Sequence, residues 1–402
     1  MSGNIFVIGG GASGLIAAIM AARNGSSVTI LEKNERCGKK ILMTGNGHCN
    51  LTNEKILPES YFSRDRDKIA SIFSHFTPEQ TLDFFKEIGI PTRKKGSLYY
   101  PRSNQASTVL QHLLREAEIL KVKIKTRENV RSIADNHGKG YLIQTDSWSY
   151  QADGVIVCCG SWASLPRDER TDVSAILSTL RHHQYPFMPA LTGLIGKSRH
   201  YGWAGIRMDA TVSLYLNGNQ CLKETGEVQF TEYGLSGIPI FQISGPVKEA
   251  LNKREQVTLF MDLLPDYSQE ALSAYLITQT ERYPGGSGLN YALSGLFPEK
   301  MLPILTEDLS SDDNESTTIS VACRCKNFSF QVKNTCSFEK AQVCSGGIPL
   351  KELSDQMESI HHPNLFFAGE VTDVNGICGG FNLQWAWTTG AIAGKTLSKR
   401  LS

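Results

Sequence analysis

Four residues near the amino terminus have the types and spacing that bind a dinucleotide. Gly9, Gly11 and Gly14 form a Gly-x-Gly-x-x-Gly turn, and Glu32 follows 21 residues after Gly11. The first glycine permits a tight turn, the second lets the backbone approach a pyrophosphate, and the third lets helix and strand pack closely. An acid at this distance accepts hydrogen bonds from a ribose 2′-hydroxyl and disfavours a 2′-phosphate. The pattern predicts a site for FAD or NAD, and the motif alone does not choose between them.

The elements around this turn complete a strand–helix–strand unit. An apolar run at 5–8 predicts a buried parallel strand, a helical pattern covers 15–22, and a second strand at 27–31 stops at Glu32. The start of the helix, at Ala12 and Ser13, offers free N–H groups and the positive end of its dipole to a phosphate.

A second glycine-rich segment follows the ribose acid. Residues 39–50 show no clean strand or helix, and Gly45-Asn46-Gly47 requires unusual backbone angles. Polar side chains surround this turn, including His48 and Asn50. The cluster favours a ligand-facing loop over an ordinary surface turn.

The carboxyl-terminal segment predicts the other half of a flavin site. An apolar strand ends at Gly369-Glu370, and Gly379-Gly380 precedes a helix predicted from about Phe381 to Leu401. In a two-part flavin domain, a late strand delivers an acid to the ribityl and phosphate chain, and such a helix stabilises negative charge on the reduced ring. The alternative is a purely structural strand–helix ending. Glycine-rich elements after apolar strands at both ends of the chain argue against that alternative.

Four segments together resemble the BaiN/YhiN-like family of bacterial NAD(P)/FAD-dependent oxidoreductases, which are three-domain flavoproteins. The matching segments are 9–14, 38–53, 230–237 and 368–387. The resemblance implies an α/β fold in which a two-dinucleotide-binding-type (Rossmann-like) FAD domain carries an inserted β-barrel and a small helical cap. Members of the family are assigned as reductases of unsaturated steroid-like substrates or as oxidases of small amino-ketones.

The motifs and the resemblance together imply a set of cofactor-binding residues. They are Gly9, Gly11, Ala12, Ser13, Gly14, Glu32, Lys33, Lys40, Gly45, Asn46, Gly47, His48, Cys49, Asn50, Val130, Gly160, Gly369, Glu370, Asp373, Gly380, Phe381 and Asn382. The resemblance places Val130 where such domains present backbone groups to adenine. The catalytic acid or base is unassigned.

Four residues inside the matched motifs are candidates for proton transfer beside the flavin. Each also has a structural alternative: His48 as a phosphate or ribityl ligand, Tyr233 as barrel packing, Asp373 as a cofactor ligand and Cys378 as a small buried filler. None of the four is preferred on sequence grounds.

The sequence departs from the family pattern at three places. His48 stands where Arg is usual, so a side chain with a permanent positive charge is replaced by one whose charge depends on pH. Residues 160–172 are bulky and charged where the family has a glycine-rich loop, and Cys344 replaces a usual Thr. FAD binding is expected to survive these changes, whereas the substrate of any one member does not transfer.

The domain boundaries follow from these anchors. We predict a discontinuous FAD domain at 1–187 and 342–402, a β-barrel-like substrate domain of short strands at 188–262 and 318–341, and a small helical domain at 263–317. A further helix is predicted to begin at Thr77-Pro78-Glu79 and to end near Gly89.

Composition excludes several classes of partner. The 402 residues carry 41 Lys and Arg against 40 Asp and Glu, so no global field attracts nucleic acid or a membrane. The 10 Cys lack zinc spacing and a CxxC pair, which predicts no metal site and reduced thiols in a cytoplasmic protein. No stretch predicts a membrane span. A basic cluster at 93–95 is expected to be a solvated face, and the sequence leaves the oligomeric state open.

The predicted function is FAD-dependent reduction of a carbon–carbon double bond in a small or steroid-like substrate, driven by NAD(P)H. The chain lacks a second Gly-x-Gly-x-x-Gly–strand–acid unit, so NAD(P)H would bind transiently at the flavin face, or oxygen would reoxidise the flavin. One alternative is an oxidase of a small amine or amino-ketone that produces hydrogen peroxide. Another is a flavin-bound RNA- or protein-associated factor. A dithiol mechanism is disfavoured because Cys37 and Cys49 lack close redox spacing.

Overall fold

Both ends of the chain build one compact unit, and the middle of the chain builds another. The computed structural model describes residues 3–196, 202–283, 288–307 and 314–402. One unit comprises Met1–Phe187 and Val343–Ser402, and the other comprises Met188–Gln342.

A five-stranded parallel sheet forms the centre of the first unit. In spatial order its strands are Leu365–Phe367, Gly154–Val157, Asn4–Ile8, Ser27–Glu32 and Lys123–Thr126. Because the strands are parallel, their carboxyl ends share one edge, where ligands bind in sheets of this kind. That edge brings together the turn after Ile8, the acid Glu32 and the segment after Phe367. The predicted Rossmann-type α/β fold is confirmed.

Helices and smaller sheets surround the central sheet. The helices are Ala12–Arg23, Lys39–Met43, Asp67–His75, Pro78–Glu87, Ala106–Ile119, Val173–Ile176 and Phe381–Leu401. The antiparallel sheets are Val130–Asp135 with Tyr141–Thr145 and Ser149–Ala152, Thr52–Asn53 with Leu98–Pro101 and Thr92–Lys95, and Tyr61–Phe62 with Asn375–Gly376. Two further strands are Tyr185–Ala190 and Val343–Gly347.

Two local expectations in this unit have different outcomes. The helix predicted to begin at Thr77-Pro78-Glu79 is confirmed, with Thr77 and Gln80 forming a reciprocal capping box. The expectation that residues 39–50 hold no helix is wrong, since Lys39–Met43 is a helix of five residues. A helix of little more than one turn is too short for hydrophobic periodicity to indicate it.

A closed six-stranded barrel forms the centre of the second unit, and the predicted barrel is confirmed. Its strands, in order around the barrel, are Leu194–Gly196, Gly234–Ser236, Asn219–Thr231, Arg207–Leu216, Val257–Asp262 and Phe328–Thr335. The helices of this unit are Ile238–Asn252, Gln269–Arg282, Gly288–Ser294, Leu302–Leu305 and Glu315–Lys326.

Two of those helices correct the reading of 188–262 and 318–341 as short strands. Ile238–Asn252 is rich in β-branched residues at its start, which favours a strand locally, but Gly237 and Pro239 begin a helix there. Glu315–Lys326 begins at Asn314, whose side chain accepts from the Thr317 N–H. One apolar cluster joins barrel residues such as Phe330 to helical residues such as Leu276. The separate helical domain at 263–317, parts of which lie outside the described residues, stays a prediction.

Candidate dinucleotide-binding site

The turn after the first strand has the shape of a phosphate cradle. A Cβ atom on Gly14 would lie 1.9 Å from the Gly9 carbonyl oxygen, so packing of the turn on the helix requires glycine there. A Cβ atom on Gly11 would meet nothing within 4 Å. Packing therefore explains Gly14, whereas Gly11 borders free space in the cleft, as expected of a backbone that a pyrophosphate approaches.

Glu32, the predicted ribose acid, is buried at the edge of the same cleft. One carboxylate oxygen accepts from the Gly10 N–H at 2.8 Å, and the other accepts from the backbone and side-chain N–H groups of Asn34 at 2.8 and 2.6 Å. A carboxylate has about four acceptor positions, so Glu32 holds the turn in place and keeps capacity for a ligand hydroxyl.

The atypical loop at 160–172 lies against this end of the cleft. Lys33 donates from Nζ to the Glu169 carbonyl oxygen and to Thr171 Oγ1, and Lys39 pairs with the Glu169 carboxylate at 2.6 Å. Burial lowers the pKa of the Lys33 amine. Leu165 and Thr171 line the cleft. The predicted cofactor residue Lys33 thus holds the loop with its amine.

Three residues from distant parts of the chain meet beside the late strand. The Glu370 carboxylate pairs with Lys40 Nζ at 2.6 Å and accepts from Ser161 Oγ at 2.8 Å. Gly160, with φ +72°, turns the chain into the cleft beside Ser161. The structure therefore brings the predicted residues Lys40, Gly160 and Glu370 to one place.

The two later glycine-rich segments also meet. A Cβ atom on Gly380 would lie 2.9 Å from Asn50 Oδ1, and Asn53 Nδ2 donates to the Gly379 carbonyl oxygen at 2.9 Å. Gly45 and Gly47 have positive φ values, as the Gly-Asn-Gly pattern predicts, and Cys49 is buried. Asn50 Oδ1 is buried and has no hydrogen-bond partner among the described residues. A buried amide oxygen without a partner fits a ligand that donates a hydrogen bond there.

The carboxyl-terminal helix begins at this meeting point. Phe381 is buried and packs against the ring of Tyr61, with ring centroids 5.9 Å apart. The Asn382 side chain accepts from the Gly376 N–H and donates to its carbonyl oxygen, both at 2.8 Å. These contacts fix the loop that leads into the helix.

Asp373, a candidate for proton transfer, is buried in an ion pair. Its carboxylate accepts from Arg64 Nη1 at 2.9 Å and from the Gly346 N–H at 3.1 Å. Burial raises the pKa of Asp373, and the Arg64 guanidinium acts in the opposite direction. The Arg64 guanidinium also lies 4.1 Å from the centroid of the Tyr185 ring. These contacts hold Asp373 in the loop, and its roles in cofactor binding and in proton transfer stay predictions.

The other three candidates lie in different surroundings. His48 is exposed, and its Nδ1 lies 3.0 Å from the Asn104 carbonyl oxygen. Tyr233 belongs to the barrel unit, where Lys340 Nζ lies 4.3 Å from its ring centroid. Cys378 is half-buried just before Gly379. A role for any of them in proton transfer stays a prediction.

Three residues at the site, Arg64, Ser161 and Glu128, were not predicted from the sequence. Arg64 stands in a charged run that resembles any solvated segment, and Ser161 stands in the loop that departs from the family pattern. Glu128 lines the cleft together with the predicted adenine neighbour Val130. Only the fold places these three side chains beside the predicted residues.

All ten cysteines are free thiols. Burial raises the pKa of Cys37 to about 12 and that of Cys49 to about 11, and thiols with raised pKa values are poor nucleophiles at neutral pH. These values argue against dithiol chemistry.

The described residues contain neither a candidate metal cluster nor a helix that could span a membrane. No three His, Cys, Asp or Glu side chains in that part of the chain are grouped to hold a metal ion. Across the same ranges, no helix is long and apolar enough to cross a membrane.

Comparison with known proteins gives matches along the whole chain. Residues 3–396 match the family model described as HI0933-like protein Rossmann domain. The chain is 38% identical to a 3-dehydro-bile acid delta(4,6)-reductase from Clostridium scindens, covering 98% of this chain and 99% of that protein. It is 28% identical to a ribosomal RNA dihydrouridine synthase from Haemophilus influenzae, covering 98% of each chain.

A solved structure shares the fold. It is a 3-ketosteroid delta1-dehydrogenase from Sterolibacterium denitrificans, with a TM-score of 0.51 and 10% identity over 99% of this chain and 100% of that one. At this identity the likeness concerns the fold alone.

Proposed function

This chain belongs to the HI0933-like Rossmann family, which confirms the resemblance seen in its motifs, and from that premise we propose that it is an FAD-dependent oxidoreductase that reduces a carbon–carbon double bond. The observation that carries the proposal is the convergence of distant segments on one cleft. The phosphate turn, Glu32 and Lys40 line that cleft, and Lys40 pairs there with Glu370 from the late strand's end.

The part of the site where the two later glycine-rich segments meet favours FAD over NAD. Asn50 Oδ1, which lacks a partner, lies against Gly380 at the start of the helix Phe381–Leu401. The positive end of a helix dipole stabilises negative charge on a reduced flavin ring. FAD, when bound, would supply the hydride, and the chain would orient the ring through Asn50 and the helix start.

The names of the relatives point to one kind of reacting bond. A 3-oxo steroid with a delta(4) double bond and the uracil ring of uridine each carry a carbon–carbon double bond conjugated to a carbonyl group. Reduction adds a hydride to the carbon remote from the carbonyl and a proton to the carbon beside it. We infer that the substrate of this chain contains such a conjugated double bond.

The relative at 38% identity favours a small steroid-like substrate over RNA. The near-neutral charge was expected to exclude nucleic acid, but a relative named as a ribosomal RNA dihydrouridine synthase spans 98% of this chain, so that exclusion has no support. RNA is therefore the second candidate substrate. We propose NAD(P)H as the electron donor and the cytoplasm, where free thiols persist, as the location.

Anaerobic mixing of the purified yellow protein with NADH, NADPH and small amines tests the proposed donor. We expect a nicotinamide to bleach the visible flavin absorbance and the amines to leave it unchanged. Bleaching by an amine alone, with hydrogen peroxide formed on aeration, would establish the oxidase alternative and reject the reductase.

A further inference from the structure

A second acidic residue, Glu128, lies beside Glu32 at the edge of the cleft. The backbone N–H of Glu128 donates to the Glu32 carbonyl oxygen at 2.9 Å, which places the two residues side by side just beyond the carboxyl ends of neighbouring strands. Glu32, Glu128 and Val130 all line the cleft. In space, Glu128 thus lies beside Glu32, the predicted ribose acid. In sequence, it lies just before Val130, the predicted adenine neighbour.

The two carboxylates differ in their hydrogen bonding. Glu32 accepts three hydrogen bonds from the chain itself. Glu128 Oε2 is buried and accepts none, and among the described residues Glu128 is the only acid with a buried carboxylate oxygen that lacks a partner. A buried acceptor without a donor is costly, so a donor from a ligand would satisfy an atom that the fold leaves open.

We propose that Glu128 binds the adenosine ribose of the dinucleotide by accepting a hydrogen bond from its 3′-hydroxyl, while Glu32 accepts from the 2′-hydroxyl. The inference rests on the proposed function, which places a dinucleotide in this cleft. A vicinal diol presents two donors, and the carboxylates of these two adjacent residues present acceptors only. The same pair repels a 2′-phosphate, so NADPH is excluded from this cleft and must meet the flavin elsewhere.

Nucleotide binding to protein stripped of flavin tests the role of Glu128. We expect ADP to bind the unmodified chain about tenfold more tightly than 3′-deoxy-ADP does, a difference typical of one hydrogen bond to a charged group. In Glu128→Ala, ADP and 3′-deoxy-ADP should bind with equal affinity, because the acceptor is gone. Loss of the difference isolates this one contact, as in a double-mutant cycle.

Two control variants make the outcome specific. Glu35→Ala removes a carboxylate whose side chain is 74% exposed, and it should keep the full preference for ADP. Glu128→Gln retains an oxygen acceptor and should keep part of the preference, and it also serves if Glu128→Ala does not fold. A preference for ADP that stays at about tenfold in folded Glu128→Ala would overturn the assignment.

The experiment separates failure of this inference from failure of the proposed function. If the chain binds ADP but neither retains nor rebinds FAD, the flavin function is rejected. The comparison of ADP with 3′-deoxy-ADP would still decide whether Glu128 contacts the 3′-hydroxyl. Equal binding of ADP and 3′-deoxy-ADP by the unmodified chain would reject the role of Glu128 without touching the flavin assignment.

Discussion

Gly11→Val is expected to abolish FAD binding while leaving the apoprotein as stable as the unmodified chain. The Gly11 backbone is extended, with φ −82° and ψ −163°, which a β-branched residue adopts without strain. A Cβ atom there meets nothing within 4 Å outside its chain neighbours, so an added side chain enters the space that the ligand would occupy. We expect FAD affinity to fall at least about a hundredfold, since the pyrophosphate loses its close approach to the backbone. Flavin titration and thermal melting of the apoprotein provide the two readouts.

Two further glycine variants serve as controls for Gly11→Val. Gly202 also has no atom within 4 Å of an added Cβ, but it lies in the barrel unit, so Gly202→Val should leave FAD binding unchanged. Gly14→Ala forces a Cβ to 1.9 Å from the Gly9 carbonyl oxygen and should lower stability as well as binding. If Gly11→Val retained FAD with normal affinity, the phosphate would not lie at this turn.

Glu32→Ala is expected to lose both FAD affinity and stability, in contrast to Gly11→Val. Removal of the carboxylate leaves the Gly10 N–H and the two N–H groups of Asn34 without their acceptor at a buried site. Hydrogen bonds to a charged group contribute about 1.5–3 kcal/mol each, and solvent replaces part of that, so we expect a loss of about 3 kcal/mol in the free energy of unfolding. FAD affinity should also fall about a hundredfold, because the ribose loses its acceptor and the turn loses its support.

Chemical denaturation of the apoprotein and flavin titration measure these two losses. Glu118→Ala removes an exposed helical carboxylate with 71% of its side chain accessible, and it should change neither quantity. Unchanged flavin occupancy in Glu32→Ala would show that the ribose lies elsewhere.

The sequence predicts the parts of the site that depend on local chain geometry. Gly9, Gly14 and Glu32 could be assigned because a turn between a strand and a helix imposes their spacing. The helix Pro78–Glu87 could also be predicted from the local sequence, since Thr77 and Gln80, which form its capping box, are three residues apart. The barrel and the cap were predicted from the resemblance, the barrel is confirmed, and the cap stays a prediction.

The partners of charged and polar residues could not be predicted in the same way. Asp373 pairs with Arg64, which is 309 residues away, and Glu370 accepts from Ser161 across 209 residues. Nothing in the local sequence selects one arginine or serine from the many in the chain, because the fold alone decides which side chains meet. For the same reason the helix Ile238–Asn252 was misread, since its β-branched start favours a strand until tertiary packing is considered.

The aromatic ending of the flavin motif has a structural explanation that the sequence did not reveal. Gln384 donates to Thr81 Oγ1, Trp385 donates from Nε1 to Thr372 Oγ1, and Trp387 donates from Nε1 to the Leu51 carbonyl oxygen. Each of these bonds is buried and links the carboxyl-terminal helix to a different segment. The motif therefore fixes the helix start beside Asn50 and need not contact the substrate.

The most direct test of the central claim is the reoxidation of reduced protein-bound FAD by a conjugated enone without oxygen. Protein photoreduced under anaerobic conditions with EDTA as the sacrificial electron donor should regain its visible flavin absorbance when mixed with a 3-oxo-delta(4) steroid, and one equivalent of the saturated ketone should form. A saturated 3-oxo steroid of the same size should leave the flavin reduced. A flavin that stays reduced with the enone, and with uridine-containing RNA, yet is reoxidised by air would contradict the proposal that this chain reduces carbon–carbon double bonds.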